Sequence, residues 1–357
     1  MAGRTLRALR RVEPPPRAVD WSIFVLVLFQ TLSGVVSLGA GHPANSLLFV
    51  VHGVAGLSLV VLVGFKLFRV RHRVLDSRLY DRHTAVSILL AVVALAALGT
   101  GIAWVLGIKI SVGFWTLLNV HIGFGLLVLP ILIIHLRSRF HTPRRVDFAG
   151  RRQALQYGAI LVFGAAAYRA TETAGALRGV SRRFTGSRPL PPGDGNASFP
   201  VTSWVADDPD PLDSEAWSLS VAGLVEQPLT LGTADLSPDE TQSVLLDCTS
   251  GWYTEQDWTG VRLGDVLASA EVHSSARWVT VRSVTGYRWS FPIEEAREML
   301  LATHVGGERL SHGHGAPLRL VAPNRRGFQW VKWIDAIEVR RRRDPAQWLA
   351  VLISGFN

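Results

Sequence analysis

The 357-residue chain contains one cysteine, Cys248, so no disulfide can close within it and cysteine pairing says nothing about its compartment. Acidic residues are also in deficit: 28 Asp and Glu stand against 37 Lys and Arg, a net charge of +9, yet mean hydropathy is positive. That combination fits a membrane protein with basic cytoplasmic loops better than a soluble nucleic-acid binder. Two polar segments, "GAGHPAN" and "GIKISVG", lack basic residues apart from Lys109.

Between these sparse loops lie apolar stretches long enough for a bilayer, which needs about 20 residues. They run over Trp21–Leu38, Ser46–Phe68, Thr84–Leu106 and Gly113–Leu136. A shorter fifth, Ala154–Tyr168, sits between Arg152 and Arg169, whose side chains can snorkel outward. Arginines crowd the alternate loops: Arg4, Arg7, Arg10, Arg11 and Arg17 before the first span, Arg69 to Arg82 after the second, and Arg137 to Arg152 after the fourth. The positive-inside rule makes the N-terminus cytoplasmic, and a fifth span puts the remainder outside. The expected organisation is a basic N-terminus (1–18), a four-helix bundle (19–137), a fifth span (151–170), a Pro/Gly-rich linker (171–200) that reads as an extended tether, and an outer domain (201–357). Arg151 and Arg152 ahead of the fifth span read equally as positive-inside charge or as a twin-arginine export signal.

Two histidines stand inside the spans at matched depth. His52 and His121 lie roughly 9–12 Å below the outer surface at 1.5 Å per residue. Ionisable groups at such depth usually pair or serve a function. Either they hydrogen-bond between helices or they clamp a haem iron from two faces. His135 follows His121 by about 21 Å along the axis and about 40° around it, a spacing suited to a second, inner haem. The same step from His52 reaches Lys66, which leaves that second haem open; His72 and His83 lie outside the register. In helix count and histidine placement, residues 20–137 resemble the four-helix membrane cytochromes b.

The second half changes character. "WSLSVAGLV", "SVLLD", "RWVTVRSV", "GYRWSFP", "PLRLVAP" and "FQWVKWIDAIEV" read as strands, and residues 294–303 have the acidic start and apolar spacing of a helix. The expected class is therefore an all-α transmembrane bundle followed by an α+β or mainly β domain. "LLDCTSGWYTEQDWTGVRLGDVL" followed by "HGAPLRLVAPNRRGFQWVKWIDAIEV" resembles the sulfite-oxidase-fold molybdenum-cofactor domain over most of residues 215–340. Cys248, Trp252, Trp258 and Gly260 bring it closer to the bacterial methionine-sulfoxide-reductase catalytic subunit than to the sulfite oxidases. The resemblance implies a molybdenum-molybdopterin cofactor ligated by Cys248. It implies that His314, Arg319 and Lys332 hold the pterin phosphate, with Arg325 or Arg326 of "PNRRGF" lining the same pocket. Asn324 stands where the sulfite oxidase pattern has Gly. Trp252, Tyr253 and Trp258 are candidate walls of the substrate pocket.

Together these readings describe a membrane-anchored oxidoreductase that transfers an oxygen atom at the outer face. Haem b relays electrons to or from a quinone or another membrane carrier. The direction tilts toward reduction of a small or protein-bound S-oxide or N-oxide; a sulfite-oxidase-like dehydrogenase is the alternative. Two other classes stand beside them: an electron-transfer cytochrome with a docking domain, and a cofactor-free scaffold. Arg340–Arg343 is expected to meet solvent or anionic headgroups, and the closing "WLAVLISGF" to pack on the domain or rest on the membrane.

Overall fold

The structure is a computed structural model that describes residues 13–112, 115–204 and 207–355. It divides into two compact units, Met1–Gly186 and Ser187–Asn357. Arg4, Arg7, Arg10 and Arg11 lie outside the described residues.

The first unit is helical: α1 Pro16–Leu38, α2 Ser46–Leu75, α3 Thr84–Val105, α4 Leu117–Arg139 and α5 Arg151–Leu177. Proline at the first position of α1 suits a helix start, because the N–H it lacks has no partner there anyway. Thr116 caps α4, accepting a hydrogen bond from Asn119 N at 3.3 Å. The helices α1 to α4 are long and apolar enough to cross a membrane, α2 together with the short turn before it. The apolar side chains of these helices largely face outward, with Val36 61% and Leu47 68% exposed. A small inner cluster of Val27, Leu59, Val93, Val128, Ile131 and Leu132 packs the four together.

Several boundaries differ from the expectation. The fourth span starts at Leu117 rather than Gly113, because Ser111–Val112 pairs antiparallel with Trp115–Thr116 ahead of it. The second helix continues beyond Phe68 to Leu75, and its inner end is tied to α1 by Asp20, which takes Lys66 at 2.8 Å and Arg69 at 2.7 Å. The last helix runs 27 residues, well past Ala154–Tyr168 at both ends. It lies close against α2, where a side chain on Gly164 would meet Ser58 Oγ at 2.2 Å.

The second unit is built on two sheets. Its strands are β1 Arg188–Pro189, β2 Ser218–Gly223, β3 Leu229–Gly232, β4 Glu240–Asp247, β5 Trp252–Arg262, β6 Trp278–Ser283, β7 Arg288–Pro292, β8 Leu300–Val305, β9 Glu308–Arg309, β10 Arg319–Val321 and β11 Ile334–Arg340. One sheet runs β9-β8-β5-β1, with β10 on β8 and β4 on β5; the other runs β3-β2-β11-β6-β7. Along β5 the residues Trp252, Thr254, Gln256, Trp258 and Gly260 alternate inward, the period of two expected of a half-buried strand. Gly260 is dictated by packing: a Cβ there would lie 2.0 Å from Leu301 O of β8. The two sheets share one apolar core that includes Trp258, Leu219, Val281 and Leu320. Helix α6, Leu263–Ser269, follows β5, and α7, Gln347–Ile353, closes the described chain.

The helix expected at 294–303 is not formed. One turn, Ile293–Ala296, gives way to β8, whose Leu300, Leu301 and Ala302 are wholly buried. A short apolar run looks alike in a buried strand and a buried helix, and here pairing with β5 and β10 decides. The segment expected as a tether is also built in from Ser187: β1 pairs with β5, and Phe199 joins the core.

Candidate functional site

Cys248 follows the last residue of β4 and begins a tight reversal into β5. Its N–H donates to Trp252 O at 2.9 Å, and Gly251 N donates back to Cys248 O at 3.1 Å, with Gly251 at φ +93°. Ser250 N donates toward the sulfur at 3.4 Å, and Thr202 Oγ1 lies 3.6 Å from Sγ. The thiolate is the form of a cysteine that binds a metal.

Behind the turn stands a buried ion pair. Asp247 Oδ1 accepts from Arg326 Nη1 at 2.7 Å and from Ser187 Oγ at 2.6 Å, while Arg326 Nη2 reaches Cys248 O at 3.2 Å. Both partners are at least 96% buried, Asp247 at 1% and Arg326 at 4% side-chain exposure. This pair fixes the end of β4 and with it the cysteine.

Cys248 opens on a cleft that is also lined by Phe199, Thr202, Asp207, Trp252, Tyr287, His314, Arg319, Phe328, Trp330 and Lys332. The sequence blocks around residues 248 and 319 thus meet in one cavity. Gly315 makes the approach possible. At φ +107° it adopts a conformation that favours glycine, and a Cβ would sit 3.0 Å from both Arg319 Cβ and Lys332 Cβ.

The cavity's charge is unbalanced. Arg319 is buried, its Nη1 donates to His314 O at 3.0 Å, and its Nε has no partner. Its guanidinium lies 5.0 Å from the ring centre of Trp258 and 5.7 Å from that of Trp330. Lys332 Nζ donates to Thr202 O at 2.8 Å, Gly313 O at 2.6 Å and Ser203 Oγ at 3.3 Å, all neutral acceptors. Burial, then the neighbouring Arg319, lowers Lys332 to about 7, and burial lowers Arg319 to about 10. Two basic groups without a paired carboxylate, one with an orphaned N–H, form a site for an anion. A soft sulfur ligand beside such a site fits a phosphate-bearing dithiolene cofactor and its metal.

His314 is used differently. Its Nε2 donates to Phe199 O at 3.2 Å, so Nδ1 accepts from Ser311 Oγ at 2.8 Å, and the ring packs tilted against Phe199 with centroids 4.2 Å apart. Burial first, then Arg319 and Lys332, lowers it to about 4, consistent with this neutral form. With both nitrogens occupied, it positions Arg319 through its own carbonyl.

Four expectations about the pocket need correction. Arg325 is paired with Glu295 and Arg326 with Asp247, so neither lines the cleft. Tyr253 points away from Trp252 by strand alternation, and Trp258 lies wholly buried beneath Arg319; neither lines the cleft either. Asn324 takes the glycine-like conformation itself, at φ +61°, which Asn tolerates better than most residues. Conversely, Thr202, Asp207, Tyr287 and Phe328 line the cavity without having been singled out. The only hint for the first was the apolar "SFPV" within a Pro/Gly-rich stretch.

In the helical unit, His52 of α2 and His121 of α4 face each other, ring centroids 6.3 Å apart and planes at 88°. His121 Nδ1 donates to Ala97 O at 2.8 Å. His52 Nδ1 lies 2.8 Å from Ser33 Oγ, which is also 3.2 Å from Gln30 O. The Nε2 lone pair of His121 is left available by its bond to the carbonyl. Gly34 and Gly101 flank the two rings without a side chain. His135 is elsewhere: its Nδ1 is 3.2 Å from Ser87 Oγ, and among the described residues no second histidine ring stacks on it.

Comparison with known proteins bears on the second unit. The family described as oxidoreductase molybdopterin binding domain matches residues 206–348. The uncharacterized oxidoreductase YuiH of Bacillus subtilis (strain 168) is 31% identical over 176 residues, 48% of this chain and 88% of that protein. The crystal structure of the sulfane dehydrogenase SoxCD from Paracoccus pantotrophus is 28% identical with a TM-score of 0.36, covering 37% of this chain and 40% of its own. This chain therefore spans about two fifths of that protein's length. With a family match on the domain that carries the cleft, and a relative matched over most of its length, this chain belongs to the molybdopterin-binding oxidoreductases of sulfite-oxidase type and is an oxidoreductase enzyme.

Proposed function

We propose that the chain is a membrane-anchored molybdenum enzyme that reduces S-oxides or N-oxides, with electrons relayed from a membrane quinol through a haem b in its helical unit. The observation that carries the reading is the single thiol, Cys248, opening on a cavity with unbalanced basic groups. Cys248 would ligate molybdenum, and Arg319 and Lys332 would hold the phosphate. Bound molybdopterin supplies two-electron oxygen-atom transfer. The chain's own part is to orient the thiol beside Ser250 N and Thr202, to neutralise the phosphate, and to shape the cleft with Trp252 and Trp330. Asp207 is 6% exposed in the same cleft with Oδ1 unpartnered, and burial raises its pKa, so its carboxyl is placed to share a proton with the oxygen of an oxide.

The haem reading rests on the histidine pair. A metal held at about 2 Å by each Nε2 separates imidazole centroids by roughly 6 Å, close to the 6.3 Å found. Helices α1 to α4 would span the bilayer. At 1.5 Å per residue α5 is about 40 Å long, enough for the fifth crossing that an extracytoplasmic domain requires. We assign one haem: the position across from His135 in the expected register is Lys66, bound to Asp20.

Metal and haem analysis of the purified full chain, followed by assay against sulfite and a panel of S- and N-oxides, tests this. The expected result is near-stoichiometric molybdenum and haem, with haem oxidation on adding an oxide. Haem reduction by sulfite would reverse the direction; less than a tenth of an equivalent of molybdenum would rule the enzyme reading out.

A further inference from the structure

The C-terminal segment of the second unit carries a surface that the oxidoreductase site does not use. Helix α7 divides sharply. Gln347, Ala350, Val351 and Ser354 are buried against the domain, whereas Trp348, Leu349, Leu352 and Ile353 are 41%, 58%, 57% and 46% exposed. Trp348 is held edge-on to Trp289 at 4.9 Å and parallel to Phe328 at 5.9 Å, so this apolar face is anchored rather than frayed.

The approach to the helix is basic. Arg341, Arg342 and Arg343 are exposed, and the guanidinium of Arg343 lies 5.6 Å from the ring centre of Trp289. The sole carboxylate between residues 341 and 355, Asp344, is buried and taken by Arg288. Arg340, at the start of the run, pairs with Glu338 at 3.4 Å and Asp344 at 4.0 Å. The segment thus presents three arginines, a tryptophan and three aliphatic side chains, with no exposed acid among them.

We propose that this surface is a docking foot for an anionic lipid bilayer. Exposed apolar side chains at the acyl boundary, an interfacial tryptophan and flanking arginines among headgroups are the components of a helix lying in the membrane surface. Charge decides the occupant: anionic lipid neutralises Arg341 to Arg343, which a second copy of this same basic face would repel. The foot does not depend on the substrate or on the haem.

Spin labels at Leu349→Cys and, separately, Leu352→Cys in the full chain test it, because the native thiol is buried. The protein is placed in nanodiscs of phosphatidylglycerol or of phosphatidylcholine alone. In the anionic discs, accessibility to a water-soluble nickel chelate is expected to fall at least about fivefold relative to zwitterionic discs, while accessibility to oxygen rises. Arg341→Glu with Arg342→Glu should abolish the difference. Equal exposure in both discs overturns the proposal. So does equal protection in both discs that survives the charge reversal, which would point to a protein surface covering the face.

Discussion

The two units treat apolar residues in opposite ways. The helical unit turns Val36, Leu47 and Leu127 outward and keeps small polar residues such as Ser33 and Ser58 within. The C-terminal unit buries Leu300, Leu301, Phe291 and Trp258, together with a few charged side chains such as Asp247 and Arg326. Outward-facing apolar side chains on four helices long enough to cross a bilayer are compatible with membrane insertion. Each unit nevertheless holds its proposed metal-binding side chains by a neighbour. Ala97 and Ser33 orient the histidine rings, and Arg326 with Asp247 fixes the cysteine's strand. Near-neutral partners suffice in the bundle; the domain uses a buried charge pair.

Breaking each ligand in turn gives the largest expected effects, and tests whether the two centres are independent. Cys248→Ser should remove molybdenum and lower turnover by more than the roughly 10–100-fold typical of losing a residue that merely supports a ligand, with the haem spectrum unchanged. His121→Ala should do the reverse, eliminating the haem band at unaltered molybdenum content. Loss of both centres in either variant would show that they are not separate. A smaller effect probes the supports. Asp247→Ala strands the Arg326 charge in the interior and should cost about 3–5 kcal/mol of domain stability in denaturant unfolding. The bundle's support lacks a charge pair, so Ser33→Ala should change global stability little and be read instead in the haem spectrum.

The smallest effect is in pH. Lys332 is lowered to about 7 in the folded chain from an ordinary 10.5. Between those values the unfolded chain binds the extra proton, so this group makes stability rise with pH from about 7 toward 10, and weakens the fold below about 7. A phosphate beside Lys332 would raise its pKa and close that window. Thermal unfolding of cofactor-free protein between about pH 6 and 9 should therefore show the rise, and cofactor-loaded protein a flatter profile.

What the sequence made legible follows from distance along the chain. The long apolar helices and the placement of His52 and His121 along them are local features, readable from the length of the apolar runs and a count of residues. That Cys248 and Arg319 share a cavity was legible only through family resemblance, since the intervening strands meet by non-local pairing. Arg325 and Arg326 looked interchangeable in "PNRRGF", yet Glu295 lies 30 residues away from the first and Asp247 lies 79 from the second. No local pattern marks such partners. Strand alternation could have separated Tyr253 from Trp252, but it does not reveal that Trp258, on the same face, lies beneath an arginine. The failed helix at 294–303 has a similar cause, because β8 owes its conformation to the strands on either side.

The orphaned Nε of Arg319 has a consequence for assembly. An unmet donor on a buried guanidinium makes the cleft a place where a bound anion would stabilise the domain. A ligand that binds only the folded form adds about 2.7 kcal/mol of stability at a hundredfold excess over its Kd. Cofactor loading and completion of the fold are therefore linked. Protease resistance that rises on loading would report the cofactor's arrival without any turnover, and an unloaded chain would be recognisable by its softness.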